Sequence, residues 1–254
     1  MKLKMLLSAV VAFAGLVAAY GTEVNLAAAA SLKECMNEII QQYQQANPEI
    51  KIVPNYEASG KLQMQIENGA PADLFISANR DKMNLLEKKG LLQPGTRCDL
   101  LENKVVLIVP ADSKLQLASF QDLATGKLGE KSIAVGDPKV VPAGKYAAEI
   151  FKNLKIADAV MPKTVFAQNV RAVLTFVARG EVEAGVVYET DAKLMSDKVR
   201  IAAQAPAGSH SPVVYPAAVI AAGAAKAEGE KFLAYLKMPA AAAVFQKYGF
   251  QPVK

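Results

Sequence analysis

The sequence is poor in the residues that build metal and catalytic centres. Its 254 residues include one histidine, His210, and two cysteines, Cys35 and Cys98. A single histidine with no nearby cysteine pair cannot form a zinc site. The GxSxG motif of serine hydrolases is also missing from the chain. These absences argue against a zinc enzyme or a serine hydrolase, so we expect a protein without catalytic residues.

Two signals for phosphate-containing partners are missing as well. No block of lysine and arginine with interleaved aromatic residues occurs, so the sequence does not indicate nucleic-acid binding. Ser59-Gly60-Lys61 looks like the end of a nucleotide-binding loop, but Asn55 and Leu62 stand where that loop needs a glycine and a magnesium-binding hydroxyl. What remains is a hydroxyl with free backbone N–H groups at a predicted helix start, which suits a small anion.

A long apolar run occurs only at the N-terminus. Residues 1–21 carry two lysines, an apolar run from Met5 to Ala19 and small residues suited to signal peptidase, which is typical of a cleaved signal peptide. The run is shorter than the roughly 20 residues that a membrane anchor needs. We expect a soluble, exported protein. Removal of Lys2 and Lys4 lowers the formal charge from +5 to +3, a mildly basic value compatible with an anionic ligand.

The two cysteines leave the disulfide state open. An oxidising compartment would permit a bridge between Cys35 and Cys98. Cys35, however, falls on an apolar helical stripe where a buried free thiol serves equally well. That stripe contains Leu32, Met36, Ile39, Ile40 and Tyr43. We favour two free thiols.

The rest of the chain alternates short apolar runs with segments of helical periodicity. Runs typical of strands cover residues 24–30, 50–56, 72–78, 104–110, 131–137, 183–189 and 213–222. Helical periodicity covers residues 32–43, 61–68, 80–89, 144–154 and 170–179. Strands that alternate with helices predict an α/β fold with parallel or mixed sheets and helices on both faces. The alanine-rich tract 202–227 has too many breaks to be one helix.

Two predicted helices begin with a serine directly after a strand. Ser31 and Glu34 have the spacing of a capping box, in which the serine bonds forward and the glutamate reaches back. Ser59 precedes the helix that begins near Lys61. A serine at a helix start is a structural cap far more often than a ligand contact. Taken one at a time, these residues therefore do not define a site.

Two further helices begin with groups that leave backbone amides free. Pro142 suits the first helical position, which leaves the amide of Ala143 available. Asn169 is a good N-cap for the helix that starts at Val170. Ligands of open α/β sheets bind beyond the carboxyl ends of the strands, where helix N-termini point. Four such starts in one cleft would present hydroxyls, amides and partial positive charge to one small anion.

Five sequence segments, taken together, resemble the periplasmic molybdate-binding proteins of ABC importers. They are AAAASL (27–32), GAPADLFISA (69–78), VGDPKVVPAGKYA (135–147), NVRAVLTFVARGEVEAGVVYETDA (169–192) and FQKYGF (245–250). The resemblance extends in order over nearly the whole mature chain. It implies a type II periplasmic binding protein fold with two α/β lobes, each a mixed sheet flanked by helices, and a ligand cleft between them. After a signal peptide of residues 1–21, lobe 1 would comprise residues 22–102 and 214–254, and lobe 2 residues 103–213.

The same resemblance implies the ligand and its contacts. Molybdate or tungstate would bind as an oxyanion, with no cofactor and no protein ligand to a metal cation. The implied contacts are the hydroxyl and amide of Ser31 and of Ser59, the backbone N–H groups of Ala143 and Val170, and the phenol of Tyr188. Relatives often show a run of Ser or Thr where this chain has Ala58-Ser59-Gly60-Lys61, which leaves Ser59 as the only hydroxyl there. We expect Lys61 to be solvated, and Ser59→Ala to weaken binding without changing the stability of the unliganded protein.

The resemblance also implies a role in transport. A monomeric periplasmic protein would close its lobes on the anion and present the closed form to an inner-membrane permease, with no catalytic step. A binding protein for another tetrahedral oxyanion, such as sulfate or phosphate, is the alternative. An iron carrier would need adjacent tyrosines and a carboxylate or histidine ligand, whereas Glu189 and Thr190 follow Tyr188 and the histidine lies elsewhere.

Overall fold

The computed structural model describes residues 21–253, so the predicted signal peptide lies outside it except for Gly21. Strands β1 to β11 are Thr22–Ala29, Ile50–Glu57, Leu74–Ile76, Cys98–Glu102, Val105–Pro110, Ile133–Gly136, Thr164–Ala167, Ala184–Tyr188, Val199–Gln204, Val214–Val219 and Gln251–Pro252. Helices α1 to α9 are Lys33–Ala46, Ser59–Glu67, Arg80–Lys88, Pro142–Asn153, Ala157–Val160, Val170–Ala178, Glu189–Leu194, Lys226–Leu236 and Pro239–Lys247. None of the helices within residues 21–253 is long and apolar enough to cross a membrane.

The strands form two mixed sheets. The first has the order β11-β4-β10-β3-β1-β2, with β1 parallel to β2 and β3 and with β10 antiparallel to β3 and β4. The second has the order β7-β6-β8-β5-β9, with β6 parallel to β7 and β8 and with β5 antiparallel to β8 and β9. The predicted α/β fold with mixed sheets is confirmed.

Each sheet carries its own set of helices. Helices α1, α2, α3, α8 and α9 pack on the first sheet, and α4, α6 and α7 pack on the second. We call these assemblies the first-sheet half and the second-sheet half. The first-sheet half takes strands from both ends of the chain, whereas the second takes strands only from residues 105–204. The chain therefore crosses between the halves twice, between β4 and β5 and between β9 and β10.

Apolar stripes explain why the helices dock on the sheets. In α6 the residues Val170, Val173, Leu174 and Val177 recur at helical spacing and are buried against the second sheet. Strand β5 is buried on both faces, as expected for a strand with helices on each side. Each fully buried valine or leucine contributes roughly 1.5 to 3 kcal/mol. This burial holds the helix starts rigidly at the ends of the strands.

All seven predicted strands and all five predicted helices are present, with small shifts at their ends. The sequence pattern missed β4, β7, β9 and β11, which are short or lie at a sheet edge and carry few consecutive apolar residues. It also missed α5, α7, α8 and α9. As predicted, the alanine-rich tract 202–227 does not form one helix; it includes β10 and the start of α8. Cys35 and Cys98 are free thiols, as we favoured.

Candidate functional site

A small cavity lies where the two halves meet. It is lined by Ala29, Ala30, Ser31, Glu57, Ala58, Ser59, Ala78, Val141, Pro142, Ala143, Asn169, Val170 and Tyr188. All five residues predicted as ligand contacts are in this set, and none is more than 4% exposed. A larger cleft beside Glu102, Lys104 and His210 contains none of the five. The fold thus brings these five residues, which are up to 157 positions apart in the chain, around one buried space.

Three helix starts supply backbone donors to the cavity. Helices α2, α4 and α6 begin at Ser59, Pro142 and Val170. The first amides of a helix have no intrahelical acceptor, and proline has no N–H, so Ala143 carries the first available amide of α4. The predicted cap at Asn169 is confirmed, since its side chain accepts a hydrogen bond from the amide of Ala172 at 3.0 Å. The amides of Ser59, Ala143 and Val170 therefore remain available at the cavity wall.

The predicted capping box at Ser31 is wrong. Ser31 lies inside a 3₁₀ turn, Ala30–Leu32, and α1 begins after it without a side-chain cap. The Ser31 hydroxyl instead lies 2.9 Å from the phenol oxygen of Tyr215 on β10. Glu34 pairs with Arg171 of the other half. Local spacing suggested a cap, but partners distant in sequence hold both side chains.

Ser59 is also not an N-cap. It is the first residue of α2, and Ala58 occupies the cap position without a side-chain bond. The Ser59 hydroxyl accepts a hydrogen bond from the backbone N–H of Ala78, at 2.9 Å in a buried setting. This bond uses a lone pair of the oxygen and leaves the hydroxyl proton to donate elsewhere.

Tyr188 brings an unpaired phenol to the cavity. The side chain is buried, and its oxygen has no hydrogen-bond partner among residues 21–253. Burial raises the pKa of Tyr188 well above its ordinary value, so the phenol keeps its proton. A buried polar group without a partner is costly unless a ligand satisfies it. The backbone N–H of Tyr188 is held by the carboxylate of Asp191, at 3.2 Å.

Glu57 is the acidic residue at the cavity wall, and its charge is already compensated. The carboxylate accepts hydrogen bonds from the amide of Ala58 at 2.8 Å, the side-chain amide of Asn169 at 3.0 Å and the ammonium of Lys61 at 3.3 Å. Burial alone would raise the pKa of Glu57, but these bonds hold it below the ordinary value. Lys61 does not line the cavity and serves as the partner of Glu57.

Arg171, which sequence analysis did not single out, joins the two halves next to the cavity. Its guanidinium donates to the carbonyl of Ser31 at 3.0 Å and to that of Ala30 at 3.3 Å. It also pairs with Glu34 and, at 3.0 Å, with the fully buried carboxylate of Asp191. Burial raises the pKa of Asp191 to about 6 although Arg171 lowers it. The sequence did contain a signal for Arg171, because an arginine in the first turn of a helix is unfavourable next to the helix dipole and therefore needs another partner.

Backbone contacts also join the two halves at this point. The amide of Gly60 in α2 donates to the carbonyl of Val140, which precedes α4, at 2.9 Å. The side-chain amide of Asn169 reaches Glu57 across the same boundary. Contacts from both halves thus surround the cavity.

The donor set suits binding of a small anion. The cavity wall offers amide and hydroxyl donors, while its carboxylate is already paired. Within residues 21–253, no group of three or more histidine, cysteine, aspartate or glutamate residues is placed to hold a metal ion. A set of neutral donors at helix starts is a common way to hold an oxyanion.

Comparisons with known proteins agree in family and in fold. Residues 24–251 match the family described as bacterial extracellular solute-binding protein. The molybdate-binding protein ModA of Haemophilus influenzae is 38% identical, over 91% of this chain and 91% of that protein. ModA of Escherichia coli is 38% identical, over 90% of this chain and 88% of that protein.

A solved structure shows the same fold. The periplasmic molybdate-binding protein of Azotobacter vinelandii superposes with a TM-score of 0.81 at 23% identity, covering 91% of this chain and 100% of that one. At this identity the likeness concerns the fold alone, which is that of a periplasmic binding protein. The family match over residues 24–251 is a match of sequence, and it agrees with this fold. The chain therefore belongs to the family of bacterial extracellular solute-binding proteins.

Proposed function

We propose that this protein captures molybdate, or the near-isosteric tungstate, and delivers it to an ABC permease in the inner membrane. The observation that carries the proposal is the buried cavity at which hydroxyls and helix-start amides from both halves meet. Two relatives that are 38% identical over nearly the whole chain are molybdate-binding proteins, which supports this choice of ligand. We propose a monomer that acts in the periplasm after removal of residues 1–21 and that catalyses no reaction.

Ser31, Ser59, Ala143, Val170 and Tyr188 are the proposed ligand residues. Each hydrogen bond to a charged group contributes roughly 1.5 to 3 kcal/mol, so several neutral donors can compensate a buried dianion. Association and ordering costs offset much of that sum. Fixed donors favour one size of anion, because the smaller sulfate cannot contact all of them at once. Hydrogen phosphate brings an O–H group for which the donors offer no acceptor.

Transport would follow from closure of two lobes. We propose lobe 1 as residues 22–102 with 214–254 and lobe 2 as residues 103–213, a division supported by the strands of the two sheets. The five proposed ligand residues come from both lobes, so an anion would bridge them and stabilise the closed form. The permease would then recognise both lobes in that arrangement.

A thermal-shift panel tests the choice of ligand. Binding to the native state at 100 times Kd adds about 2.7 kcal/mol to the free energy of unfolding. For a chain of this size, each kcal/mol raises Tm by roughly 2 to 4 °C. We expect molybdate and tungstate to raise Tm by several degrees, and sulfate, phosphate and chromate to raise it much less. A shift with sulfate or phosphate but none with molybdate would favour the alternative oxyanion.

Ser59→Ala is expected to reduce both molybdate affinity and the stability of the unliganded protein. The variant removes a donor to the anion and also leaves the buried amide of Ala78 without its acceptor, which costs about 1 to 3 kcal/mol. The structure thus revises the expectation that unliganded stability would be unchanged. Calorimetry and thermal unfolding measure the two effects.

Ser77→Ala is the matched control for Ser59→Ala. Ser77 is also fully buried in the first-sheet half, and its hydroxyl bonds to the backbone of Asn79 rather than lining the cavity. We expect this control to lose stability and keep its affinity for molybdate. Unchanged affinity in Ser59→Ala would remove Ser59 from the proposed ligand set.

A further inference from the structure

We propose that Tyr215 and Asn103 determine which protonation state of the ligand is accepted, because they fix the direction of the Ser31 hydroxyl. Neither residue lines the cavity. They form a chain of hydrogen bonds that ends at Ser31, so both act as positioning residues. The inference rests on the proposed function, since it concerns the specificity of the same site.

The series of hydrogen bonds begins at the side-chain amide of Asn103, whose orientation is set by a bond to the backbone. The side-chain oxygen of Asn103 accepts a hydrogen bond from the N–H of Lys104 at 2.8 Å. Its nitrogen therefore faces the other way, 2.9 Å from the hydroxyl of Thr190 and 3.3 Å from the phenol of Tyr215. An amide nitrogen can only donate. Tyr215 thus accepts a hydrogen bond from Asn103 and cannot donate its own proton in that direction.

The next hydrogen bond joins the phenol of Tyr215 to the hydroxyl of Ser31. Tyr215 is fully buried, and burial raises its pKa well above the ordinary value, so the phenol keeps its proton. One lone pair faces Asn103, and the Ser31 oxygen at 2.9 Å is the acceptor that remains for the proton. The 2.9 Å geometry allows either oxygen to donate; we take Tyr215 as the donor, because Ser31 is the acceptor that lies within hydrogen-bond distance of its phenol.

The last link leaves Ser31 as a donor into the cavity. Its oxygen accepts from Tyr215 and has no other hydrogen-bond partner among the described residues. Its own proton is then free for an oxyanion. Ser59 reaches the same condition by a different route, because its oxygen accepts from the amide of Ala78. Two hydroxyls of the cavity wall, both from the first-sheet half, thus each keep a proton to donate to the ligand.

This polarity selects a fully deprotonated oxyanion. Every oxygen of molybdate can accept from these hydroxyls. A hydrogen phosphate would direct its O–H toward a donor, and the carboxylate of Glu57 already accepts from Ala58, Asn169 and Lys61. A site with the wrong hydrogen-bond complement rejects an analogue strongly, because buried polar groups remain unpaired. Tyr215 and Asn103 therefore contribute to the rejection of phosphate as well as to affinity for molybdate.

Two variants test the chain in different ways. In Tyr215→Phe the Ser31 hydroxyl can rotate and accept, so we expect molybdate affinity to fall about 10-fold, as for the loss of one hydrogen bond. Asn103→Asp is nearly isosteric and reverses the chain. Tyr215 would donate to the new carboxylate, Ser31 would donate to Tyr215, and a Ser31 lone pair would face the cavity. We expect this variant to gain affinity for hydrogen phosphate while it loses affinity for molybdate.

The measurement is calorimetric titration of the full mature protein with molybdate and with inorganic phosphate. Tyr43→Phe is the control, because Tyr43 is a buried tyrosine of the first-sheet half that does not line the cavity. We expect the ratio of molybdate to phosphate affinity to fall at least 10-fold in Tyr215→Phe and Asn103→Asp and to stay constant in Tyr43→Phe.

The possible failures are distinguishable. If the wild-type protein does not bind molybdate, the proposed function is overturned and this inference with it. If the wild type binds molybdate and the ratio is unchanged in Asn103→Asp, only the inference on Tyr215 and Asn103 is overturned. Because Asn103→Asp keeps the side-chain size, it gives this answer even if Tyr215→Phe fails to fold.

Discussion

Replacing Gly60 by alanine is expected to weaken molybdate binding about 100-fold, which corresponds to overpacking by about 3 kcal/mol. A Cβ atom at Gly60 would lie 2.5 Å from the carbonyl oxygen of Val140 and 2.7 Å from its Cα. Both are backbone atoms of the opposite half, so no side-chain rotation relieves the clash. The variant would also disturb the hydrogen bond from the Gly60 amide to Val140. The proposed closed form is therefore the state that the substitution disfavours.

The same substitution should not destabilise the unliganded protein in an open form. Gly60 lies in the first turn of α2, with no positive φ. Alanine is favoured over glycine in a helix by roughly 1 kcal/mol. We therefore expect thermal unfolding without ligand to be unchanged or slightly higher in temperature, while calorimetry shows the loss of affinity.

Lys61→Ala is the matched control for Gly60→Ala, since the two residues are neighbours in α2. Lys61 pairs with Glu57 in a partly exposed setting and does not line the cavity, so we expect only a small change in affinity. Wild-type affinity in Gly60→Ala would show that binding does not need the contact between α2 and Val140.

Replacing Arg171 by methionine is expected to lower the free energy of unfolding by about 3 to 5 kcal/mol at pH 8, as for the removal of one partner of a buried ion pair. The substitution leaves the carboxylate of Asp191 fully buried without its cation. Arg171 and Asp191 both lie in the second-sheet half, so the loss does not depend on closure. Chemical denaturation of the unliganded protein measures it.

The destabilisation caused by Arg171→Met should become smaller as the pH falls. Burial raises the pKa of Asp191 to about 6, above the ordinary value of 3.8. The folded state thus binds this proton more tightly than the unfolded state, and the free energy of unfolding falls as the pH rises from about 4 to about 6. Without Arg171 the pKa rises further, so in Arg171→Met the fall continues to higher pH. At pH 5 Asp191 is largely protonated in both proteins, and we expect the difference between them to be small.

A double variant separates charge from packing. Arg171→Met with Asp191→Asn has no buried charge at this position, so it should recover much of the stability lost in Arg171→Met at pH 8. Equal destabilisation by Arg171→Met at pH 5 and pH 8 would show that lost packing, not the carboxylate of Asp191, is the cause.

Features that depend on neighbours in the chain were predictable from the sequence. The apolar periodicity of α6 and the buried run of β5 were identified correctly, because each reflects the spacing of residues within one element. Pro142 is the first residue of α4 and Asn169 caps α6, as predicted, because a helix start is decided by the first few residues. The edge strands β7 and β9 were missed, since tertiary pairing rather than a local apolar run makes them strands.

Local sequence was sufficient to predict the fold class, the starts of α4 and α6 and the amides that those two starts leave without an intrahelical partner. The partners of the side chains beside those amides depend on how the two sheets pack. Ser31 was expected to cap a helix and instead contacts Tyr215, 184 positions away. Arg171 pairs with Asp191 and crosses to the carbonyl of Ser31. The physical reason is that a backbone amide is placed by its own helix, whereas the partner of a buried polar side chain is set by whichever elements the packing of the two sheets brings next to it.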